Sequence, residues 1–230
     1  MSQVVLITGA SGNLGRAVAA AFEGQGASLA LLGHGAGRDA GAPGAAPNRL
    51  HVAADLRDAA QVQAAVDAVV RRFGRIDVLC NLAGGFRMGE AVHETSDATW
   101  DFLLDLNARS LLHTARAVVP HMLAAGQGCI VNVGAAGAAK GGATMGAYAA
   151  SKSAVARLTE SMSAELRERG IRVNGVLPTI IDTPENRAAM PKADPSRWVA
   201  PADLASVITF LASDAARAVH GALIPVSGLS

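Results

Sequence analysis

Short apolar runs alternate along this chain with longer segments in which apolar residues recur at helical spacing. Alternation of this kind is typical of βαβ units, whose strands lie parallel in one sheet. The pattern predicts an α/β fold with a doubly wound, parallel, seven-stranded sheet and helices on both faces. The predicted strands are Val4 to Thr8, Ser28 to Leu32, Leu50 to Ala53, Ile76 to Asn81, Cys129 to Val133, Val173 to Leu177 and Leu223 to Val226. The predicted helices are Gly15 to Gln25, Asp58 to Phe73, Ser96 to Ala124, Ala147 to Arg169 and Pro201 to Ala212.

Two segments interrupt this alternation. Residues 33–47 are rich in Gly and Ala and contain two prolines, a composition that predicts a surface loop. Residues 183–198 contain Pro184, Pro191 and Pro195 and lie directly after a predicted strand. Because open α/β sheets bind ligands at the carboxyl ends of their strands, residues 183–198 are predicted to form a substrate lid.

The composition fits one domain spanning residues 1–230, with half of the residues hydrophobic. A formal net charge of +1 and an aromatic content of 3% argue against a nucleic-acid partner. No apolar stretch approaches the roughly 18 residues of a membrane span, so we expect no membrane association and a cytoplasmic location. Cys80 and Cys129 each lie in a strand-like run, and we expect buried thiols rather than a disulfide or a metal site.

Candidate chemistry lies in the segment Tyr148-Ala-Ala-Ser-Lys152. Residues four apart on a helix share a face, so the Lys152 ammonium is expected to lie near the Tyr148 phenol. A nearby positive charge lowers the pKa of a phenol and favours proton exchange near neutral pH. The spacing therefore predicts a proton-transfer site.

A second motif, Thr8-Gly-Ala-Ser-Gly-Asn-Leu-Gly15, joins the first predicted strand to the first predicted helix. Glycines at positions 9, 12 and 15 permit a tight turn and bring backbone N–H groups close to a pyrophosphate at the helix N-terminus. The alternative is an ordinary strand-to-helix turn that uses glycine for its backbone freedom. The downstream Tyr148 and Lys152 favour the dinucleotide interpretation.

The ordered motifs resemble the short-chain dehydrogenase/reductase family over essentially the whole chain, although Asn13 stands where that family's cofactor loop has its second Gly. The resemblance implies a single-domain Rossmann fold, an NAD(P) cofactor and hydride transfer to or from a small-molecule substrate. It further implies that Tyr148 is the general acid, that Lys152 grips the cofactor ribose and that Asn107 orders a catalytic water.

The same resemblance assigns cofactor contacts along the chain. Asp55 and Leu56 match the adenine-contacting pair of the family, Asn81 begins its Asn-Asn-Ala-Gly strand end, and Pro178 to Thr183 match the segment that holds the nicotinamide carboxamide. His34 is included because it can supply positive charge. The candidate cofactor-binding residues are therefore Gly9, Gly12, Asn13, Leu14, Gly15, His34, Asp55, Leu56, Asn81, Ala83, Gly84, Tyr148, Lys152, Pro178, Ile181 and Thr183.

Several of these residues have structural alternatives that the sequence leaves open. Asn107 also fits a polar residue on a helix, Asp55 a cap of the helix that begins near Asp58, and Asn81 a brace within the sheet. Tyr148 alone would fit a core aromatic. Lys152, one turn later, argues against that alternative.

One hydroxyl of the resembled family is missing. Its members commonly place a Ser thirteen residues before the Tyr, and this position is Ala135. That Ser normally donates a hydrogen bond to the substrate carbonyl, and Thr144 is the candidate substitute. The quinonoid dihydropteridine reductases also lack the Ser, and residues 182–198 and 83–86 resemble their sequences.

The sequence therefore favours a small conjugated acceptor as substrate, a quinonoid pterin-like C=N group or a quinone. An ordinary ketone or aldehyde reductase, of the 3-oxoacyl type, or an alcohol dehydrogenase is the alternative. A cofactor-sensing protein without turnover is a second alternative, which the presence of both Tyr148 and Lys152 opposes.

Cofactor preference depends on the residues after the second strand. Selectivity for NAD usually needs a carboxylate there, and Gly33 supplies none. Arg16, His34 and Arg38 offer positive charge, so NADP(H) is favoured, with NAD(H) as the alternative.

Association of subunits is predicted from the apolar content of the long helices. Phe102, Leu103, Leu106, Leu111 and Leu112 exceed what one sheet face covers. Pairing across a two-fold axis would bury the excess. A homodimer, or a homotetramer built from it, is therefore expected.

Overall fold

The computed structural model describes residues 2–33 and 46–230, and its strands in those ranges form one parallel sheet of seven. Its strands, in chain order, are β1 (Val4–Thr8), β2 (Ser28–Gly33), β3 (Arg49–Ala53), β4 (Val78–Asn81), β5 (Gly128–Val133), β6 (Ile171–Pro178) and β7 (Leu223–Val226). The helices are α1 (Asn13–Gly24), α2 (Ala59–Phe73), α3 (Asp97–Leu104), α4 (Ser110–Ala125), α5 (Gly146–Leu166), α6 (Pro184–Ala189) and α7 (Pro201–Ala212). The predicted fold class is confirmed.

The strand order is β3-β2-β1-β4-β5-β6-β7, so the chain changes direction across the sheet between β1 and β4. At such a switch point the loops after the two strands separate and leave a crevice. Val5 pairs with Leu29, the residue after Ser28 in β2, on one side and with Val78 of β4 on the other. These pairs fix the register of the three central strands. The crevice therefore lies beyond Thr8 and Asn81.

Alternation along each strand divides the core into two layers. On β1, Val4 and Leu6 join the layer beneath α2, α4 and α5, whereas Val5 and Ile7 join the layer beneath α1 and α7. Successive strand residues point to opposite faces, so a fully apolar strand requires helices on both. The predicted doubly wound arrangement follows from this division.

The predicted helix from Ser96 to Ala124 is interrupted. A π-helical turn, Asp105–Arg109, separates α3 from α4. Ser96 caps α3 by accepting a hydrogen bond from the Thr99 N–H at 3.2 Å. The extra residue of a π turn shifts the helical register, and such turns occur frequently at functional sites. Here it contains Asn107.

Two predictions made for exposed segments have mixed outcomes. Most of the predicted loop at 33–47 lies outside the described residues, and so do His34 and Arg38. Within the predicted lid, residues 183–198, the chain forms α6 and a short 3₁₀ turn, Pro195–Arg197. Whether this segment closes over a substrate stays a prediction.

The long helices expose fewer apolar side chains than the sequence predicts. Leu103 and Leu111 are 0% and 3% exposed within a single chain, although Trp100 on α3 remains 46% exposed. Subunit association stays a prediction. No helix in the described ranges has the length and apolarity needed to cross a bilayer.

Candidate active site

The end of β1 is tied to the end of β4 by one hydroxyl. Thr8 Oγ1 accepts hydrogen bonds from the backbone N–H groups of Leu82 at 3.1 Å and Ala83 at 3.2 Å. The glycine turn continues directly from Thr8 with Gly9 at φ +65°, a conformation that favours glycine. A Cβ on Gly9 would lie 3.0 Å from the Ala83 backbone nitrogen. The turn therefore packs directly against the segment after β4.

Gly15 allows α1 to pack against the turn that precedes it. A Cβ at this position would lie 2.3 Å from the Gly9 carbonyl oxygen, closer than any real contact. Gly12 is the N-cap of α1, and no side chain caps the helix there. The first backbone N–H groups of α1 therefore face the crevice without a side-chain acceptor, an arrangement that suits a pyrophosphate.

Asn13 links the glycine turn to the predicted lid. Its Nδ2 donates to Glu185 Oε2 in α6 at 2.8 Å. Arg16 donates to the Ser11 carbonyl and to Asn13 Oδ1, both at 2.6 Å. Hydrogen bonds from its own backbone N–H and from the Thr183 hydroxyl hold the pKa of the Glu185 carboxyl below its usual value, and the Asn13 bond and the Arg16 charge lower this pKa further. The lid and the cofactor turn thus share one polar cluster.

Thr183 begins α6. Its Oγ1 accepts from the Asn186 N–H at 3.2 Å and so caps the helix. The neighbouring Ile181 carbonyl accepts from Asn186 Nδ2 at 2.8 Å. The nicotinamide contact assigned to Thr183 by resemblance stays a prediction, as do those of Pro178 and Ile181.

The predicted adenine-contacting pair, Asp55 and Leu56, follows β3. The Asp55 carboxylate pairs with the Arg57 guanidinium at 2.7 Å, while Asp58, not Asp55, caps α2 by accepting from the Ala60 and Gln61 N–H groups. The alternative that Asp55 caps this helix is wrong. Leu56 is 5% exposed, and its carbonyl lies 2.9 Å from His113 Nδ1 on α4.

Asn81 forms part of a polar chain across the sheet. Its Nδ2 donates to Asn132 Oδ1 at 2.9 Å, and its Oδ1 accepts from the Thr114 hydroxyl at 2.8 Å. Asn132 Nδ2 in turn donates to Thr159 at 2.9 Å. The side chain of Asn81 thus braces the sheet, as the structural alternative requires, and a cofactor contact by this residue stays a prediction.

Asn107 holds the loop after β4 from the π turn. Its Oδ1 accepts from the Gly85 N–H at 2.8 Å, and its Nδ2 donates to the Gly85 carbonyl at 3.0 Å and to Ser151 Oγ at 2.9 Å. A Cβ on Gly84 would lie 2.9 Å from Asn107 Oδ1 and 3.0 Å from Lys152 Nζ. Glycine at 84 therefore lets the loop reach both side chains.

A small cavity of about 10 Å³ lies beside these groups. Hydroxyl and amide side chains supply much of its lining: Thr8, Asn81, Asn107, Ser110 and Thr114. That volume is close to the smallest that holds one water, and a polar lining is what such a water requires. The cavity is consistent with the water predicted at Asn107.

Tyr148 and Lys152 lie one turn apart near the start of α5. The Lys152 Nζ donates to the Val133 carbonyl at 2.9 Å, and burial lowers its pKa to about 8. The Tyr148 ring meets Phe86 edge-on, with centroids 4.8 Å apart. Burial raises the pKa of the Tyr148 phenol, so the predicted depression by Lys152 is wrong for the protein without cofactor. The phenol is therefore protonated at neutral pH.

We expect Lys152→Met to increase the free energy of unfolding at neutral pH. The unfolded chain keeps the lysine proton up to about pH 10.5, whereas the folded protein releases it near pH 8. Wild-type stability consequently rises with pH between those values. The gain from Met is therefore largest below pH 8, on the order of 1–3 kcal/mol, and shrinks toward pH 10.5.

Urea unfolding at pH 7 and pH 10 measures this gain. Loss of the hydrogen bond to the Val133 carbonyl lowers the gain in unfolding free energy at both pH values. The difference between the gain at pH 7 and the gain at pH 10 therefore remains. Lys140→Met, at an exposed lysine, is the matched control. A gain that is the same at both pH values would contradict the assigned burial effect.

The position of the missing hydroxyl follows β5. Ala135 is 9% exposed and extended, and it offers only a methyl group. Thr144 has φ +57°, which for a β-branched residue is a strained conformation. Its carbonyl accepts from the Gly89 N–H at 2.9 Å. Strained residues cluster at functional sites, so the backbone conformation of Thr144 makes it a candidate site residue.

Residues 3–194 match the model of the short-chain dehydrogenase family. The chain belongs to this family. It is an oxidoreductase that uses a nicotinamide dinucleotide with small-molecule substrates, and the glycine turn, the Gly84 approach and the α5 pair fit that cofactor.

Three similar proteins illustrate the range of the family. The chain is 37% identical to D-threitol dehydrogenase of Mycolicibacterium smegmatis, over 98% of this chain and 92% of the relative. It is 35% identical to cis-4-hydroxycyclohexanecarboxylate dehydrogenase of Sinomonas cyclohexanicum, over 98% and 95%. A crystal structure of 3-ketoacyl-(acyl-carrier-protein) reductase from Brucella melitensis complexed with NADH superposes with a TM-score of 0.86 and 30% identity, over 98% and 97%.

Several structural partners escaped sequence analysis. Ser151 and Asn132 join the predicted residues through side-chain hydrogen bonds, and Glu185 reaches Asn13 across 172 positions of the chain. Ser151 lies within the motif from Tyr148 to Lys152, so it is the one of these partners that a sequence motif contains. The other contacts depend on how the strands and lid meet.

Proposed function

We propose that the protein interconverts a secondary alcohol and a ketone with NADP(H) as the preferred cofactor. The observation that carries the proposal is the convergence of Tyr148 and Lys152 on the segment that also packs against the glycine turn. Gly84 adjoins Lys152, and its neighbour Ala83 adjoins Gly9, so one short loop separates the proton donor from the dinucleotide turn.

The bound nicotinamide supplies or accepts the hydride. In reduction, Tyr148 donates its phenolic proton to the substrate oxygen as negative charge develops there. The raised pKa keeps this proton in place at neutral pH. Lys152 is positioned between Val133 and Gly84 to meet the ribose and, when protonated, to stabilise a Tyr148 phenolate left after transfer.

The three similar proteins act, by name, on an alcohol, a hydroxy acid and a 3-ketoacyl group. These names support an ordinary alcohol or ketone over the quinonoid pterin that the sequence favoured. The dihydropteridine reductase resemblance rests on the lid segment and on Ala135, and no relative described here supports it. A quinonoid acceptor nevertheless remains the second candidate, because Ala135 leaves one carbonyl contact unfilled.

A substrate panel tests the proposal. Purified protein is assayed for NADPH oxidation with cyclohexanone, 4-oxocyclohexanecarboxylate and a quinonoid dihydropterin. We expect turnover of at least one ketone. Turnover of the pterin alone would favour the second candidate, and tight NADPH binding without oxidation by any compound would favour a sensing protein.

Thr144 is proposed to replace the missing Ser as the second donor to the substrate oxygen. We expect Thr144→Gly to lower kcat/KM on a ketone by about 10²–10³-fold, the cost of one lost oxyanion donor. Glycine also accepts φ +57° without strain, so stability should stay within about 1 kcal/mol of wild type.

Thr144→Ser is the matched variant because it keeps the hydroxyl. It should retain most of the ketone activity, and Ala135→Ser should add little to it, because Thr144 already supplies the donor. A gain on unactivated ketones in Ala135→Ser would favour the quinonoid candidate instead. If Thr144→Gly reduces ketones as well as wild type does, Thr144 is not the donor.

A further inference from the structure

A pocket of about 170 Å³ lies between the segment after β4 and the start of α5. Its lining includes the chain neighbours of the residues around the predicted general acid: Ala147 directly precedes Tyr148, and Arg87 directly follows Phe86, whose ring meets Tyr148. Its polar lining comes from Arg87, Glu90, Thr95, Thr99 and Thr144. A substrate whose oxygen meets Tyr148 therefore has a neighbouring space for a second polar group.

Arg87 is held in place by an aromatic ring. Its guanidinium carbon lies 3.7 Å from the centre of the Phe102 ring, within the range of a cation–π contact. Phe102 is itself fixed against Gly85, where an added Cβ would lie 3.1 Å from the ring. Stacking leaves the planar N–H fork of the guanidinium available and lowers the entropy lost on binding a ligand.

Within residues 2–33 and 46–230, no hydrogen bond or ion pair engages Arg87. The acid of the pocket, Glu90, is bound elsewhere: its carboxylate accepts from the Ser96 N–H and from the Thr99 hydroxyl, both at 3.0 Å. These bonds, more than the Arg87 charge, hold the pKa of Glu90 below its usual value. Glu90 thus reduces the field of Arg87 without occupying its N–H groups.

We propose that Arg87 binds a carboxylate carried by the substrate and so selects keto acids or hydroxy acids over their neutral analogues. The inference rests on the proposed function for the position of the reacting carbon. The guanidinium fork matches a carboxylate with two parallel hydrogen bonds, which a neutral amide or hydroxyl cannot reproduce.

Binding of an unreactive pair of probes tests this site independently of turnover. Cyclohexanecarboxylate and cyclohexanecarboxamide share one shape and differ in charge. Each probe is titrated into the NADPH-bound protein by isothermal calorimetry. The Kd of cyclohexanecarboxylate should be lower than that of cyclohexanecarboxamide by about tenfold or more. Arg87→Gln should reduce this ratio to about twofold or less, and Arg87→Lys should leave an intermediate ratio because an ammonium lacks the fork.

Arg71→Gln, at an exposed arginine on α2, controls for the change in net charge and should keep the wild-type ratio. Equal affinity of wild type for the two probes would overturn the proposal, and so would a preference that survives in Arg87→Gln. NADPH oxidation with cyclohexanone or 4-oxocyclohexanecarboxylate separately tests the proposed function, and the unreactive probes test the Arg87 site, so either conclusion can fail alone.

Discussion

Tyr148→Phe is expected to lower kcat for ketone reduction by about 10²–10⁴-fold. The substitution removes the exchangeable proton and keeps the ring, so the edge-on contact with Phe86 at 4.8 Å should persist. Lys152 retains its bond to the Val133 carbonyl, and the glycine turn is untouched. Fluorescence titration should therefore give an NADPH Kd close to that of wild type.

The pH profile separates proton transfer from packing. Because burial raises the pKa of Tyr148, reduction should persist through neutral pH, while alcohol oxidation, which needs the phenolate, should increase with pH. Tyr148→Phe should abolish both dependences along with the turnover. Phe86→Leu, which removes the ring contact but leaves the phenol, should keep turnover and both pH dependences, with any shift directed to lower pH because the phenol is less buried. Retained turnover in Tyr148→Phe would overturn the general-acid assignment.

The sheet was predictable because its signal is local. Each central strand is apolar at both alternating positions, as Val4 to Ile7 show, and only a strand covered on both faces has that pattern. The helical segments between strands then force parallel pairing. The order of the strands was not predictable in this way, since the apolar pattern of β4 does not state which strand lies beside it.

The break at Asn107 lacked such a signal. Residues 96–124 keep helical spacing, and the π turn is stabilised by contacts to Gly85 and Ser151, which lie 22 and 44 positions away. The commitment of Asn81 to Asn132 and Thr114 likewise depends on register between strands. Candidate site residues could thus be proposed from motifs, whereas most of the partners that orient them could not.

The pKa of Tyr148 shows the same limit. Helical spacing placed Lys152 near the phenol, but the ammonium is directed to the Val133 carbonyl and the ring is half-buried. Desolvation by burial therefore sets the direction of the pKa shift. Burial depends on Phe86 and the loop after β4, and their packing on α5 is set by tertiary structure.

Gly33→Asp is expected to reverse the cofactor preference from NADPH to NADH. Gly33 ends β2 beside the glycine turn, and among the described residues a Cβ there would meet Ser11 Oγ alone, at an ordinary 3.7 Å. A carboxylate at this position would hydrogen-bond the ribose hydroxyls of NADH and repel the 2′-phosphate of NADPH. We expect the ratio of kcat/KM for NADPH to that for NADH to fall by about 100-fold, which corresponds to about 2.7 kcal/mol.

Gly33→Asn is the matched control, because it has the shape of Asp without the charge and should change the ratio by much less. Arg16 lies in the first turn of α1. Its bonds to the Ser11 carbonyl and Asn13 keep its charge close to the glycine turn, where the phosphates of the cofactor are predicted to bind. Arg16→Gln should therefore weaken NADPH more than NADH. A wild-type protein that prefers NADH by tenfold would show that the NADP(H) assignment is wrong. An unchanged ratio in Gly33→Asp would show that the ribose does not reach the end of β2.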